Sequence, residues 1–267
     1  MMPGRRYPEY PGRSLRPESD EEEKPMVVGI NKDECIGCGE CLPYCTVGAI
    51  SLADDVAVID GEMCVDCHVC ARFDICPTEA IWAQETEEYP RLVRRISDPT
   101  LTKATGVPGR GTEEVKTNDV TGRVKRGQVG ICIELGRPGV AAHLEDLEKV
   151  TSRLTPLGIR FEKENPMMSL LSDPERGLVK DEVKGERVLS TIVEFVIDES
   201  LLEDVVKELR AVEGELNTVF SLGMITRVDD DGTIPLVDTL ADLGITPRPN
   251  CKVNLGMGKP LADEGGC

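Results

Sequence analysis

Eight of the chain's 11 cysteines fall between Cys35 and Cys76, spaced Cys35-x2-Cys38-x2-Cys41-x3-Cys45 and then Cys64-x2-Cys67-x2-Cys70-x5-Cys76-Pro77. No other feature restricts the fold so sharply, because thiols this dense either pair as disulfides or converge on metal. Disulfides need an oxidising compartment, and the first residues argue against export. Arg5 and Arg6 look like a twin-arginine signal, but Tyr7, Pro8, Glu9, Tyr10 and Pro11 follow instead of an apolar segment. No apolar run in the sequence approaches the roughly 20 residues of a membrane-spanning helix. The sequence reads as cytoplasmic, and its cysteine run as metal-binding.

Structural zinc would take four ligands as two Cys pairs, which leaves the third cysteine of each x2, x2 loop surplus. Such a loop suits a cubic iron–sulfur cluster, because three thiolates can curl around one corner while backbone N–H groups point at the sulfides. Two similar half-modules carry the cysteines. Each starts with a short apolar strand, over 26–30 and 56–59. Each ends in a near-identical turn, Cys45-Thr-Val-Gly-Ala-Ile and Cys76-Pro-Thr-Glu-Ala-Ile, so a pseudo-twofold module is expected.

At these residues the chain resembles the bacterial-type two-[4Fe–4S] ferredoxin family, over 26–83. The resemblance implies two [4Fe–4S] clusters that transfer single electrons at low potential. It also implies crossed ligation, in which the fourth cysteine of each motif serves the other cluster. Cluster one then takes Cys35, Cys38, Cys41 and Cys76, and cluster two takes Cys64, Cys67, Cys70 and Cys45. Two departures stand out: Thr46 replaces the family's usual proline after Cys45, and the five-residue gap before Cys76 is longer than the usual three. His68, inside the second loop, is either an exposed loop residue or a group that tunes cluster two. Cys132, Cys251 and Cys267 read as spare thiols, and His143 as a surface or capping residue.

The expected fold class is α+β. Residues 1–25 contain five prolines and few apolar side chains, and read as a disordered tail. Residues 84–127 read as an extended linker, with nine basic residues against seven acidic, in a chain whose net charge is −18. From Gln128, alternating Val129, Ile131, Ile133 and Leu135 predict a strand. Leu144, Leu147, Thr151 and Leu154 predict a helix stopped by Pro156-Leu157-Gly158. Ile159 and Phe161 alternate again, and after a polar loop Leu189 to Ile197 forms the clearest strand. Leu202, Val205, Val206, Leu209 and Val212 share a helical face ahead of Gly214, and a last strand spans 216–228. Over 128–229 this order predicts a βαββαβ domain of ferredoxin-like or ACT-like type, with one antiparallel sheet backed by two helices. Residues 230–267 form a C-terminal extension with a short helix near Pro235.

The acidic surface and 3% aromatic content argue against nucleic acid and membrane surfaces as partners, and for docking onto a basic patch of another protein. No Walker loop, G-x-S-x-G or H-E-x-x-H motif occurs in the sequence, and no residue stands out as an acid, base or nucleophile. The leading expectation is an electron-delivering subunit that docks a larger catalytic subunit of an anaerobic oxidoreductase, with homodimerisation through the ACT-like domain as a further possibility. The alternative is a redox-linked regulatory protein whose ACT-like domain binds a small molecule at the Gly136-Arg-Pro-Gly139 loop.

Overall fold

The computed structural model describes residues 28–84, 89–97, 122–137, 140–234 and 236–247. The expected N-terminal tail, most of the expected linker, Cys251 and Cys267 lie outside these residues.

The cysteine-rich module is built from two short antiparallel strand pairs. Strand β1 (Val28–Ile30) pairs with β4 (Ile81–Ala83), and β2 (Ile50–Ala53) pairs with β3 (Val56–Ile59). The β2–β3 connection is the two-residue turn Asp54-Asp55, with φ of 50° and 62°. Positive φ at both positions gives the type I′ geometry, whose twist matches that of paired strands. Gly29 faces Trp82 across β1–β4, and a Cβ on Gly29 would stand 2.2 Å from the indole. Cys41, Ile50 and Ala57 form a small buried core, joined by half-buried Ile30, Ile59 and Ile81.

The repeat is present in the hydrogen bonds as well as in the letters. Cys35 N–H donates to the Asn31 carbonyl (3.0 Å), and Cys64 N–H to that of Asp60 (2.9 Å). Asn31 N–H donates to Ala80 O (2.8 Å) and Asp60 N–H to Ala49 O (2.9 Å). A pseudo-twofold relation between the halves accounts for both pairs.

The second unit contains a three-stranded antiparallel sheet in the order β10-β5-β11. Its members are β5 (Gln128–Leu135), β10 (Thr191–Asp198) and β11 (Phe220–Ile225). Helices α2 (Leu144–Leu154) and α3 (Leu202–Glu213) share one core with the sheet, in which Ile133, Leu135, Leu147, Val150, Val205 and Val212 are fully enclosed. The strand expected at Ile159 and Phe161 shrinks to one bridge, Phe161 to Phe195, on the outer side of β10. Their rings meet edge to face at 6.4 Å.

Between that bridge and β10, where the sequence predicts only a polar loop, the chain makes a structured excursion. It contains β7 (Leu171–Asp173) paired with β8 (Leu178–Val179), and β9 (Arg187–Val188) paired with β6 (Ala142–His143). The excursion is held to α2 where buried Thr151 Oγ1 donates to Gly177 O (2.6 Å). The expected short helix near Pro235 is α4 (Leu236–Asp242). No described helix is long and apolar enough to cross a membrane.

Candidate iron–sulfur centres

Each cysteine loop is shaped by residues in left-handed backbone. In the first loop these are Gly37 (φ 64°) and Gly39 (φ 75°). Gly37 lies against the β2–β3 turn, and a Cβ there would sit 2.0 Å from Asp55 O, so glycine alone fits. In the second loop the equivalent positions hold Asp66 (φ 51°) and His68 (φ 57°), which are not glycines. The longer Cys70–Cys76 connection accommodates α1 (Val69–Arg72) and presents Phe73 to solvent at 62% exposure.

The eight cysteines separate into two sets. Cys35, Cys38, Cys41 and Cys76 line one cavity. Cys45, Cys64, Cys67 and Cys70 line a second. His68 and Val65 also line the second cavity, and Ile36 and Thr78 the first. Among the described residues no three His, Cys, Asp or Glu side chains close around a single-ion position. The thiols of each set line a hollow.

Backbone N–H groups point at the sulfurs. Ala49 N–H donates to Cys45 Sγ (3.1 Å), Ala80 N–H to Cys76 Sγ (3.2 Å) and Ala57 N–H to Cys35 Sγ (3.4 Å). The first two bonds are repeat-equivalent, one on the fourth cysteine of each motif. Such donors favour charged thiolate over thiol. The donor set, the cavities and these N–H groups fit iron–sulfur clusters.

Burial, then the neighbouring Asp66 carboxylate, pushes the Cys64 thiol up to about 12. Burial, then the adjacent sulfurs of Cys67 and Cys45, pushes Cys70 up to about 12. Burial also raises Cys41 and Cys67. At Cys76 burial acts in the same direction, but hydrogen bonds from Thr78, Ala80 and Ile81 together outweigh it and lower the thiol. Metal bound at Cys64, Cys67 or Cys70 would displace protons that burial holds there.

Sequence reasoning missed the residues that surround the second loop. A 3-10 turn over Arg91–Ser97 runs beside it. Arg91 grips the Asp66 carboxylate with two N–H donors, at 2.6 and 2.8 Å, and reaches Gly61 O at 3.0 Å. Arg94, itself buried, donates to Gly61 O (2.7 Å) and Cys64 O (2.5 Å) and pairs with Glu186 from the second unit. Arg187, on β9, donates to Met63 O (2.9 Å) and Val140 O (3.2 Å). Leu189 N–H donates to the buried Ser97 hydroxyl (2.7 Å). Arg94 and Arg187 thus tie the Cys64 loop to the excursion before β10, and Arg91 ties it to the 3-10 turn. The one available signal was the replacement of repeat glycines by Asp66 and His68.

The remaining candidates lie elsewhere. Cys132 is buried on β5 between Glu194 and Gly223, as expected of a spare thiol. His143 occupies the N-cap position of α2 without a side-chain capping bond. Arg137, in the loop suggested for a small ligand, donates to Glu134 (2.8 Å) and Ser190 (3.3 Å); Pro138 and Gly139 lie outside the described residues.

This geometry is that of an iron–sulfur electron carrier, and the similarities to known proteins agree. Residues 28–51 match the 4Fe-4S binding domain family. Ferredoxin-2 of Chlorobaculum tepidum is 43% identical over 53 residues, which is 18% of this chain and 86% of that protein. Ferredoxin Fdx2 of Sorangium cellulosum is 38% identical over 84 residues, 27% of this chain and 81% of that protein. One component of an ion-translocating oxidoreductase complex, from Methanosarcina acetivorans, is 45% identical over 47 residues but is matched over only 17% of its length. Through its N-terminal module the chain belongs to the 4Fe–4S ferredoxin family.

Proposed function

We propose that the module holds two [4Fe–4S] clusters by crossed ligation, and that the chain delivers electrons to or from a catalytic subunit of a larger oxidoreductase complex. The observation that carries the reading is the sorting of the cysteines: Cys76 lines the cavity of the first loop and Cys45 that of the second. Bound clusters supply one-electron transfer. The chain's own residues supply the thiolates, the N–H donors to sulfur and the apolar shell of Ile30, Ile59 and Ile81.

The catalytic partner is suggested by the similarity to a component of an oxidoreductase complex, and by the large second unit beyond the ferredoxin module. A reducing, anaerobic cytoplasm suits a module whose Cys38 is exposed. Homodimerisation through β11, an edge strand of the described sheet, belongs to the same proposal and is read by light scattering.

The test is anaerobic reconstitution followed by iron and sulfide analysis, with an expected yield of about eight of each per chain. In the reduced protein, Cys76→Ser is expected to disturb the EPR signal of cluster one, and Cys45→Ser that of cluster two. The reverse assignment would overturn crossed ligation. About four iron per chain would overturn the two-cluster reading.

A further inference from the structure

The two cysteine loops are equivalent by the repeat but differ in what covers them. Val65, in the second loop, is 1% exposed; its counterpart Ile36 is 64% exposed. The cover on the second loop is the chain's own: guanidiniums of Arg91, Arg94 and Arg187 bind the carbonyls of Gly61, Met63 and Cys64. The corresponding carbonyls of the first loop, on Lys32, Glu34 and Cys35, accept no hydrogen bond among the described residues. Beside that loop Leu52 is 46% exposed, and its Cδ1 would be 3.8 Å from a Cβ on Gly39. Within residues 31–59, Asp33, Glu34, Glu40, Asp54 and Asp55 are exposed carboxylates, and Lys32 is the one cation of that stretch.

We propose that this open face, over Cys35 to Cys41, is where the redox partner docks, and that the partner is a protein presenting arginine or lysine around an apolar centre. The proposal rests on the two-cluster reading above and adds which cluster meets the partner and by what chemistry. The covered loop shows what such a backbone accepts: guanidiniums on its carbonyls, with Val65 closed off from solvent. Exposed Ile36 and Leu52 supply the apolar middle, and the carboxylates supply steering. Cluster one is then the port to the partner, and cluster two sits beneath the second unit.

The experiment uses the full-length, reconstituted and reduced protein in stopped flow, with lysine-ringed cytochrome c as probe and a neutral benzoquinone as control. Transfer to cytochrome c is expected to slow about tenfold or more from about 10 to 500 mM salt, as a steered encounter must. The triple variant L52S/D54N/D55N is expected to slow transfer to cytochrome c about tenfold and leave transfer to the quinone unchanged; Asn tolerates the left-handed turn. The pair D33N/E34Q, outside the turn, gives a second reading in the same direction. Carbodiimide cross-links to cytochrome c lysines are expected on Glu40, Asp54 or Asp55. Salt-independent transfer, unchanged rates in both variants, or cross-links confined to carboxylates other than Asp33, Glu34, Glu40, Asp54 and Asp55 would overturn the docking face. Iron analysis of the same samples separates the two readings: full loading with any of those results sinks the face alone, whereas loading of about half sinks the two-cluster assignment beneath it.

Discussion

Asp66 holds a left-handed backbone position that its repeat partner gives to glycine, and its carboxylate is fully enclosed against Arg91. The strain costs about 1 kcal/mol, and the enclosed ion pair offsets it. Removing one partner of an enclosed pair costs about 3 kcal/mol. Asp66→Gly is therefore expected to lower stability by about 2 kcal/mol despite relieving the backbone, and Asp66→Asn by less; denaturant titration of the holoprotein reads both. Titration of the thiols gives a second prediction. Cys64 and Cys70 are pushed from 9.0 up to about 12, so the folded apoprotein keeps protons that the unfolded chain loses above about pH 9. Their contribution to stability is complete below that pH and is lost as pH rises towards 12. Melting temperatures of the apoprotein are expected to fall across this window. Cluster binding consumes the thiolates, so the holoprotein should lack this component; identical profiles would contradict the assignment of these thiols as ligands.

Among the elements, the β2–β3 hairpin and the first cysteine loop are locked together at Gly37. Gly37→Ala introduces a methyl that would lie 2.0 Å from Asp55 O, at a φ of 64°. It is expected to cost about 3 kcal/mol and, on the proposed two-cluster reading, to release cluster one before cluster two, seen as selective loss of one EPR signal on mild heating. The element scale also shows what a sequence can and cannot disclose. Strands β5 and β10 were legible because Val129 to Leu135 and Val193 to Ile197 alternate, and α2 and α3 because their apolar positions recur every three or four residues. The strand at Ile159 and Phe161 was overread: two alternating residues allow a strand, but only Phe161 bridges β10. Strands β6 to β9 were missed because two- and three-residue pairings carry no period long enough to detect. The three thiols of each x2, x2 loop share one cavity, as their spacing suggested, whereas the grouping of Cys76 with the first loop and Cys45 with the second came from the family resemblance and not from spacing.

On the scale of the whole molecule the two units meet through the arginine clamp. Its members come from Arg91, Arg94 and Arg187, and nothing in their sequence neighbourhood distinguishes them from solvated cations; distant folding alone brings them together. Arg94 is enclosed between two backbone carbonyls and Glu186, so Arg94→Ala leaves a half-buried carboxylate and two loop carbonyls without that donor. A loss of about 3 kcal/mol is expected. Combined with Arg187→Ala, calorimetry is expected to resolve separate melting of the ferredoxin module and the βα domain, where the parent protein melts in closer register. Coincident transitions in the double variant would mean that the units are coupled elsewhere.

The clamp also sets a timetable for the newborn protein. Met63 and the arginine that binds its carbonyl are 124 residues apart in the chain, whereas both cysteine loops and all eight thiols precede Pro77. At a synthesis speed of about 5–20 residues per second, each of these eight cysteines leaves the ribosome several seconds before Arg187. The two thiol pockets are thus complete in sequence while the latch over one of them does not yet exist, and closing that latch waits for the chain to be made as far as Arg187.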